Sequence, residues 1–157
     1  MFSFIKKKES SLYSPVVGNS LMLEEVPDKV FSTKLMGDGI AFDFEGSEVC
    51  SPCDGEVIMI SKTNHAIGFR TIDGVEVLLH VGMDTVNLGG AGLFVHVGLN
   101  QKVKHGQKII TIDREFMREK GINLLTPLII TNNNSNLLYI MDPQKVTTSS
   151  VVIEIKK

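Results

Sequence analysis

The sequence predicts an all-β fold, an antiparallel sandwich or barrel with at most short peripheral helices. Fourteen glycines punctuate the chain, and short runs of aliphatic and β-branched residues lie between them. Short apolar runs bounded by frequent turn residues are typical of β-sandwiches and barrels. The predicted strands are residues 57–60, 75–79, 93–97, 128–130 and 151–155.

A weak internal repeat is the second observation behind this fold class. One copy begins at Ser14 and the other at Ser51, 37 positions later. Each copy reads Ser-Pro-x-x-Gly, then two residues, then an apolar-Met-apolar run. Because solenoids need three or more copies, two copies favour a duplicated β motif over a repeat array.

A single helix is predicted over residues 113–120. Asp113 is suited to the N-cap, Glu115 supports the first turn, and Gly121 ends the segment. The helix is short, so we expect it to lie at the periphery.

The chain length predicts one β domain over residues 12–157, preceded by a flexible tail over residues 1–11. In that tail, Phe2, Phe4 and Ile5 stand beside the basic run 6–8, a pattern compatible with weak, peripheral membrane contact. A frayed terminus is the favoured interpretation.

Composition excludes several classes of protein. With 16 basic and 18 acidic residues the net charge is −2, which lacks the basic excess of a nucleic-acid-binding protein. No apolar run approaches the roughly 18 residues of a membrane-spanning helix. Two cysteines cannot make a disulfide framework, so a cytoplasmic protein is expected.

A β-hairpin centred on Asp73-Gly74 is the most informative segment. A two-residue Asp-Gly loop pairs Ile72 with Val75, and the register then places Ile67 opposite His80. Side chains alternate between the two faces of a strand. One face would therefore carry Ile72, Val75, Val77, Leu79 and Val81, and the other His65, Ile67, Phe69, Leu78 and His80.

Two histidines on one apolar face indicate a docking surface with chemistry at its centre. Three kinds of site fit this pair: a metal site, a general acid–base pair, and a nucleophilic imidazole supported by its neighbour. Asp84 follows His80 by four positions. Its carboxylate would either steer a basic partner or complete a metal site.

Five ordered blocks of sequence resemble a known family. They are residues 26–31, 36–41, 63–67, 77–88 and 125–132, reading VPDKVF, MGDGIA, TNHAI, VLLHVGMDTVNL and LTPLIITN. In order and spacing they are similar to the glucose-type enzyme IIA component of the bacterial phosphoenolpyruvate-dependent sugar phosphotransferase system. The likeness runs from about residue 12 to the end of the chain.

The resemblance implies a fold, an activity and a set of site residues. The fold would be an antiparallel β-sandwich built as a duplicated hybrid motif. The protein would be a cytoplasmic phosphocarrier, taking a phosphoryl group from phosphohistidine on HPr and passing it to a cysteine on the IIB domain of a transporter for glucose or a related sugar. His80 aligns with the phosphorylated histidine, His65 with the histidine that stabilises the phosphoryl group, and Thr63 with the residue that orients His65.

The partner-binding surface implied by the resemblance surrounds the histidines. Phe31, Leu78 and Val86 fall in its apolar ring, and Asp28 and Asp84 in its acidic rim. Ile67 joins this surface through its predicted position on the hairpin face. No cofactor is required, although a zinc ion shared by His65, His80 and a partner's carboxylate would be compatible with the family.

Two alternative functions remain open at this stage. One is a regulatory protein that binds metabolic proteins according to its phosphorylation state. The other is a zinc hydrolase on the same fold, which His80 and Asp84 favour but the lack of a His-x-His motif opposes. The two cysteines, Cys50 and Cys53, are interpreted as packing residues. The two other histidines, His96 and His105, are interpreted as structural or solvent-facing residues.

Overall fold

The computed structural model describes residues 9–133 and 136–156. The strands are β1 (Glu9–Tyr13), β2 (Gly18–Met22), β3 (Gly39–Phe44), β4 (Glu48–Cys50), β5 (Gly55–Ile60), β6 (Ala66–Thr71), β7 (Glu76–His80), β8 (Leu93–Val95), β9 (Lys102–Val103), β10 (Lys108–Ile112), β11 (Thr126–Ile130), β12 (Leu137–Ile140), β13 (Lys145–Val146) and β14 (Val151–Lys156). Within the described ranges, the helices are α1 (Lys29–Ser32) and α2 (Arg114–Glu119), with 3₁₀ turns at Leu23–Glu25 and Thr85–Leu88.

The strands form one large sheet and two small ones. The large sheet has the order β13-β2-β3-β11-β7-β6-β5-β9, and the small sheets have the orders β1-β14-β12 and β4-β10-β8. The paired strands run antiparallel. The prediction of an all-β antiparallel fold is confirmed.

Strand alternation divides the apolar residues of the large sheet between two clusters. On β11, Leu128 and Ile130 belong to the main core, whereas Ile129 belongs to a smaller cluster. That smaller cluster contains Leu23, Val26, Phe31, Ala41, Met83 and Ile129. Because neighbouring residues point to opposite faces, the smaller cluster lies on the outer face of the sheet, under the segment that joins β2 to β3.

The sequence repeat has the same local structure in both copies. Ser14 and Ser51 are completely buried, and each hydroxyl donates to a carbonyl two residues later, Val16 at 2.6 Å and Cys53 at 2.8 Å. Each serine therefore closes the turn that feeds the next strand, β2 or β5.

The two copies also bind each other reciprocally. The Tyr13 amide donates to the Pro52 carbonyl at 2.7 Å, and the Cys50 amide donates to the Pro15 carbonyl at 2.7 Å. Equivalent positions thus exchange equivalent bonds. The repeat relates two halves of the molecule: β4 to β10 are consecutive, while β1 to β3 combine with β11 to β14 to make the other half.

This relationship identifies the counterpart of His80 in the other half. Strand β6 in one half corresponds to β3 in the other, and Ala66 and Gly39 are their first residues. Ala66 lies opposite His80 on β7, and Gly39 lies opposite Ile129 on β11. Ile129 therefore occupies the position equivalent to His80, and it is completely buried. The repeat preserves the strands but not the histidine.

The predicted two-residue hairpin loop is wrong by one residue. The Gly74 amide donates to Thr71 at 2.9 Å, and the Thr71 amide donates to Val75 at 2.8 Å. The loop is therefore the three residues 72–74, with Gly74 at a φ of 86°. A turn closed by a left-handed glycine is a common three-residue hairpin connection.

The extra loop residue shifts the register between β6 and β7. His80 lies opposite Ala66, and Ile67 lies opposite Leu79. Ile67 and Phe69 consequently face the main core and are completely buried, whereas Ile72 is 83% exposed. The predicted positions of Ile67 and Phe69 on the histidine face, and of Ile72 on the core face, are wrong.

The remaining element predictions differ in outcome. Helix α2 is confirmed, and its Asp113 cap accepts from the Phe116 amide at 3.0 Å. Strand β1 already includes Ser10 and Ser11, which were expected in a tail, because they pair with β14. The predicted membrane-contact residues Phe2, Phe4 and Ile5 lie outside the described part of the chain. Among the described residues, no helix is both long and apolar enough to cross a membrane.

Candidate functional site

His80 is the last residue of β7, and a tight turn after it fixes the orientation of its ring. The turn passes through Gly82 at a φ of 78°, where an added Cβ would lie 2.6 Å from Thr85. The Met83 amide anchors this turn to the Asn123 carbonyl at 2.8 Å. The Nδ1 atom of His80 lies 2.9 Å from the Gly82 carbonyl oxygen, an acceptor, so Nδ1 carries the proton and Nε2 keeps its lone pair.

His65 precedes β6, in the turn between β5 and β6. Its Nδ1 atom lies 2.5 Å from the Thr63 hydroxyl and 3.3 Å from the Ser61 hydroxyl. The Ser61 oxygen already accepts from the Ala66 amide at 3.1 Å, which leaves the hydroxyl proton of Ser61 available to Nδ1. Two hydroxyls on one ring nitrogen hold the imidazole in a single orientation.

The two imidazoles meet each other and a phenyl ring. The ring centroids of His65 and His80 are 4.9 Å apart, with planes inclined by 75°. Phe31 also packs against His80, with a centroid distance of 4.9 Å. Helix α1 supplies Phe31, and Asp28 caps that helix by accepting from the Val30 amide at 2.9 Å.

The surroundings keep both imidazoles neutral near pH 7. Burial lowers the pKa of His80 below 6.5, and the nearby His65 lowers it further, against the opposing effects of the Gly82 carbonyl and Asp28. Burial also lowers the pKa of His65, against the opposing effect of the Thr63 backbone. A neutral imidazole with a free nitrogen is a nucleophile.

A mixed apolar and acidic rim surrounds the pair. Leu78 is half-buried on the same face of β7 as His80, and Val86 is 51% exposed in the following 3₁₀ turn. Asp84 is exposed between them in sequence, and Asp28 is half-buried beside Phe31. The structure thus places Leu78 and Asp28 near His80, whereas Asp84 and Val86 lie in the turn that follows β7. Ile67 is removed from this surface by its complete burial.

Sequence reasoning missed three features of the site. Ser61 was overlooked because a single serine does not by itself indicate a functional site. The alternation Ser-x-Thr-x-His over residues 61–65 could have indicated that its hydroxyl lies near His65. A backbone acceptor for the second nitrogen of the nucleophilic imidazole is expected, but its identity as Gly82 depends on a left-handed glycine that the sequence does not reveal. Met59 was also missed. A Cβ added at Gly68 would contact the Cβ of Met59, and Gly68 lies opposite Leu78, so the Met59 side chain covers the sheet next to Leu78.

Metal binding has limited support in the part of the chain that the structure describes. No cluster there offers three or more histidine, cysteine, aspartate or glutamate side chains to one ion. His65 and His80 would supply two ligands, so a shared zinc ion would require a third from a partner.

The other singled-out side chains lie apart from the histidine pair. Cys50 and Cys53 are buried free thiols, and burial raises the pKa of Cys53 to about 12. His96 lies 2.6 Å from the Thr111 hydroxyl, and His105 stacks on Tyr13 while binding Asp54. These contacts are those of packing and surface residues.

Comparisons with known proteins give one consistent family. Residues 10–136 match the family model of the phosphoenolpyruvate-dependent sugar phosphotransferase system, EIIA 1. The chain is 43% identical over 130 residues to the glucose-specific EIIA component of a Bacillus cereus phosphotransferase system, covering 83% of this chain and 79% of that protein. It is also 42% identical over 141 residues to a glucose-specific EIIBCA component of Corynebacterium glutamicum, covering 88% of this chain and 21% of that longer protein.

A solved structure supports the same assignment. Glucose permease IIA from Mycoplasma capricolum superposes with a TM-score of 0.88 at 34% sequence identity, covering 98% of this chain and 99% of that one. The chain therefore belongs to the EIIA 1 family of the phosphoenolpyruvate-dependent sugar phosphotransferase system and is a phosphotransferase component of that system.

Proposed function

We propose that His80 is the phosphoryl acceptor of this phosphocarrier and that phosphorylated HPr is its donor. The observation that carries the assignment is the bond from His80 Nδ1 to the Gly82 carbonyl, 2.9 Å long, which leaves Nε2 as the nucleophile. Nε2 attacks phosphorus, forming a new P–N bond, and the old P–N bond breaks with its electron pair returning to the donor histidine. A cysteine thiolate of a IIB domain then attacks the phosphoryl group and forms an S–P bond. The Nε2–P bond breaks with its electron pair returning to Nε2, so His80, still protonated at Nδ1, leaves as a neutral imidazole.

His65 stabilises the transferring group in this proposal. We assign the Thr63 hydroxyl, at 2.5 Å, as the donor to the single lone pair of Nδ1, with the Ser61 hydroxyl a weaker second contact at 3.3 Å. This tautomer makes Nε2 the protonated nitrogen of a neutral ring. That N–H is then available to the phosphoryl oxygens. Phosphoryl transfer depends mainly on positioning and on stabilising the equatorial oxygens, and His65 supplies both at a centroid distance of 4.9 Å.

The apolar rim provides the surface on which two successive partners dock. Leu78 and Val86 exclude water from the reacting atoms when a partner covers them, and Asp28 and Asp84 attract a basic partner. Phe31 is buried and packs against the His80 ring. The relatives that join EIIA to EIIB and EIIC in one chain support a IIB domain of a sugar permease as acceptor. The relatives named glucose-specific favour glucose or a related sugar. The proposed place of action is the cytoplasm, with no cofactor required.

Regulatory binding is a second role that the same surface supports. A phosphoryl group on His80 adds a charge of about −2 to this surface. A metabolic protein that docks on the unmodified rim would therefore be released on phosphorylation, and the two roles coexist.

The test is phosphorylation by a reconstituted donor system. Wild type, His80→Ala and the control His96→Ala are incubated with phosphoenolpyruvate, enzyme I and HPr, and examined by intact mass spectrometry. We expect one acid-labile, base-stable phosphoryl group on wild type and His96→Ala, and none on His80→Ala. Labelling of His80→Ala at the wild-type rate would overturn the assignment of His80.

A further inference from the structure

Asn64 occupies a strained backbone conformation beside the histidine pair. Its φ is 60°, in the left-handed region that residues other than glycine rarely adopt. Its amide N–H donates to the Ser61 carbonyl at 3.0 Å, which closes the turn over residues 61–64. That turn brings the hydroxyls of Ser61 and Thr63 to one nitrogen of His65.

The side chain of Asn64 anchors the turn to a second element. Its Nδ2 donates to the Leu93 carbonyl, at the start of β8, at 3.3 Å. Gly90 makes room for this contact, since a Cβ at Gly90 would lie 3.3 Å from the same Nδ2 atom. The glycine-rich segment 89–92, which the phosphoryl chemistry does not otherwise use, thereby contributes to the support of His65.

We propose that Asn64 is a positioning residue for phosphoryl transfer, because it closes the 61–64 turn and ties that turn to β8. It thereby holds the hydroxyl-bound ring of His65 opposite His80. This inference rests on the proposed role of the histidine pair. Asparagine is suited to the position because it tolerates the left-handed region better than most residues and its amide reaches the backbone carbonyl.

The chain offers a matched control for the cost of placing alanine in a left-handed backbone conformation. Asn100 also has a left-handed φ, 68°, in the loop between β8 and β9, and its amide donates to Val57 at 2.8 Å. Asn100→Ala thus imposes the same kind of backbone penalty away from the histidines. Asn64→Ala loses both the favoured conformation and the anchor, whereas Asn64→Gly loses only the anchor.

The experiment combines single-turnover transfer from phosphorylated HPr with NMR of the imidazole nitrogens. At saturating HPr, we expect Asn64→Ala to transfer roughly tenfold more slowly or worse, with little change in the half-saturating HPr concentration. Asn64→Gly should fall between Asn64→Ala and wild type, and Asn100→Ala should match wild type. The Nδ1 resonance and the titration of His65 should change in Asn64→Ala and not in Asn100→Ala.

Three results would overturn the inference. They are an unchanged rate in Asn64→Ala, an equal loss in Asn100→Ala, or a slow Asn64→Ala whose His65 resonances match wild type. Equal rates for Asn64→Gly and wild type would overturn the anchoring role. Failure of the proposed function is seen separately, as unlabelled wild type, and the His65 resonances test the positioning role even then.

Discussion

The imidazole rings of His65 and His80 meet nearly edge to face, with centroids 4.9 Å apart and planes inclined by 75°. Two positive charges at this separation repel each other, so the rings resist double protonation. The pair is therefore held in its neutral form, which is the form that the proposed roles of nucleophile and hydrogen-bond donor need.

Replacing His65 should raise the pKa of His80. In wild type, burial and then the charge of His65 lower that pKa below 6.5. In His65→Gln the repulsion is lost but burial remains, so we expect the pKa of His80 to rise. NMR titration of the His80 ring measures this, with His96→Gln as the control. An unchanged or lower pKa in His65→Gln contradicts the electrostatic coupling.

Asp28→Asn should have the opposite effect on His80. Asp28 raises the pKa of His80, so its neutralisation should move that pKa further down. Asparagine caps helices about as well as aspartate, so helix α1 and the Phe31 contact should persist. Asp84→Asn is the comparison variant, because Asp84 is not among the groups that shift the pKa of His80. A larger shift from Asp84→Asn than from Asp28→Asn would refute this account.

Stability should fall as the medium becomes acidic. The pKa of His80 is lower in the folded protein than in the unfolded chain, so the unfolded chain binds more protons below about pH 6.5. The contribution of neutral His80 to stability is complete above the pKa of this residue in the unfolded chain. It is lost as the pH falls through the pKa of His80 in the folded protein. Urea unfolding at pH 7.5 and pH 5 should show a larger loss for wild type than for His80→Gln. Equal losses of stability in wild type and His80→Gln would show that protonation of His80 does not contribute to the pH dependence.

Gly55→Ala should destabilise the fold by about 2–3 kcal/mol. A Cβ at Gly55 would lie 2.2 Å from the Arg70 carbonyl oxygen, so the hairpin of β5 and β6 would have to move. Gly46→Ala is a matched control, since nothing lies within 4 Å of its Cβ position. Urea unfolding of the two variants measures the difference. A stability of Gly55→Ala equal to that of Gly46→Ala would disprove the close approach.

The two cysteines should be inert in the native protein. Cys53 is 1% exposed and its pKa is raised to about 12, and burial also raises the pKa of Cys50. Because the thiolate is the reactive form, we expect neither to react with a disulfide reagent at pH 8 until urea unfolds the chain. Rapid native labelling would instead indicate an accessible, redox-competent pair.

The sequence predicted that His65 and His80 lie close together, but not the register of the hairpin that carries His80. The class of fold and helix α2 follow from short-range signals, namely apolar runs, turn residues and a capping aspartate. The register failed because Asp73-Gly74 is compatible with two loop lengths, and each extra residue turns every later side chain to the other face. His80 still meets His65 because the latter lies before β6, where strand alternation no longer dictates its direction.

The features that sequence reasoning missed depend on long-range contacts. Helix α1 has only four residues, too few for a periodic pattern, yet it supplies Phe31. The buried position of Ile67 follows from the loop length alone. The hydrogen bond from Asn64 to Leu93 joins residues 29 positions apart, and the local sequence around either residue does not indicate it.

The duplication of the fold bears on how many phosphoryl groups one molecule would carry under the proposed role of His80. Ile129 lies opposite Leu78 and so is a diagonal neighbour of His80, about 7–8 Å away. A symmetric assembly of two identical half-chains would place two histidines at that separation, where two doubly charged phosphoryl groups would repel each other. Joining both halves in one chain lets a buried isoleucine stand where the second histidine would be, so we expect one phosphoryl group per molecule.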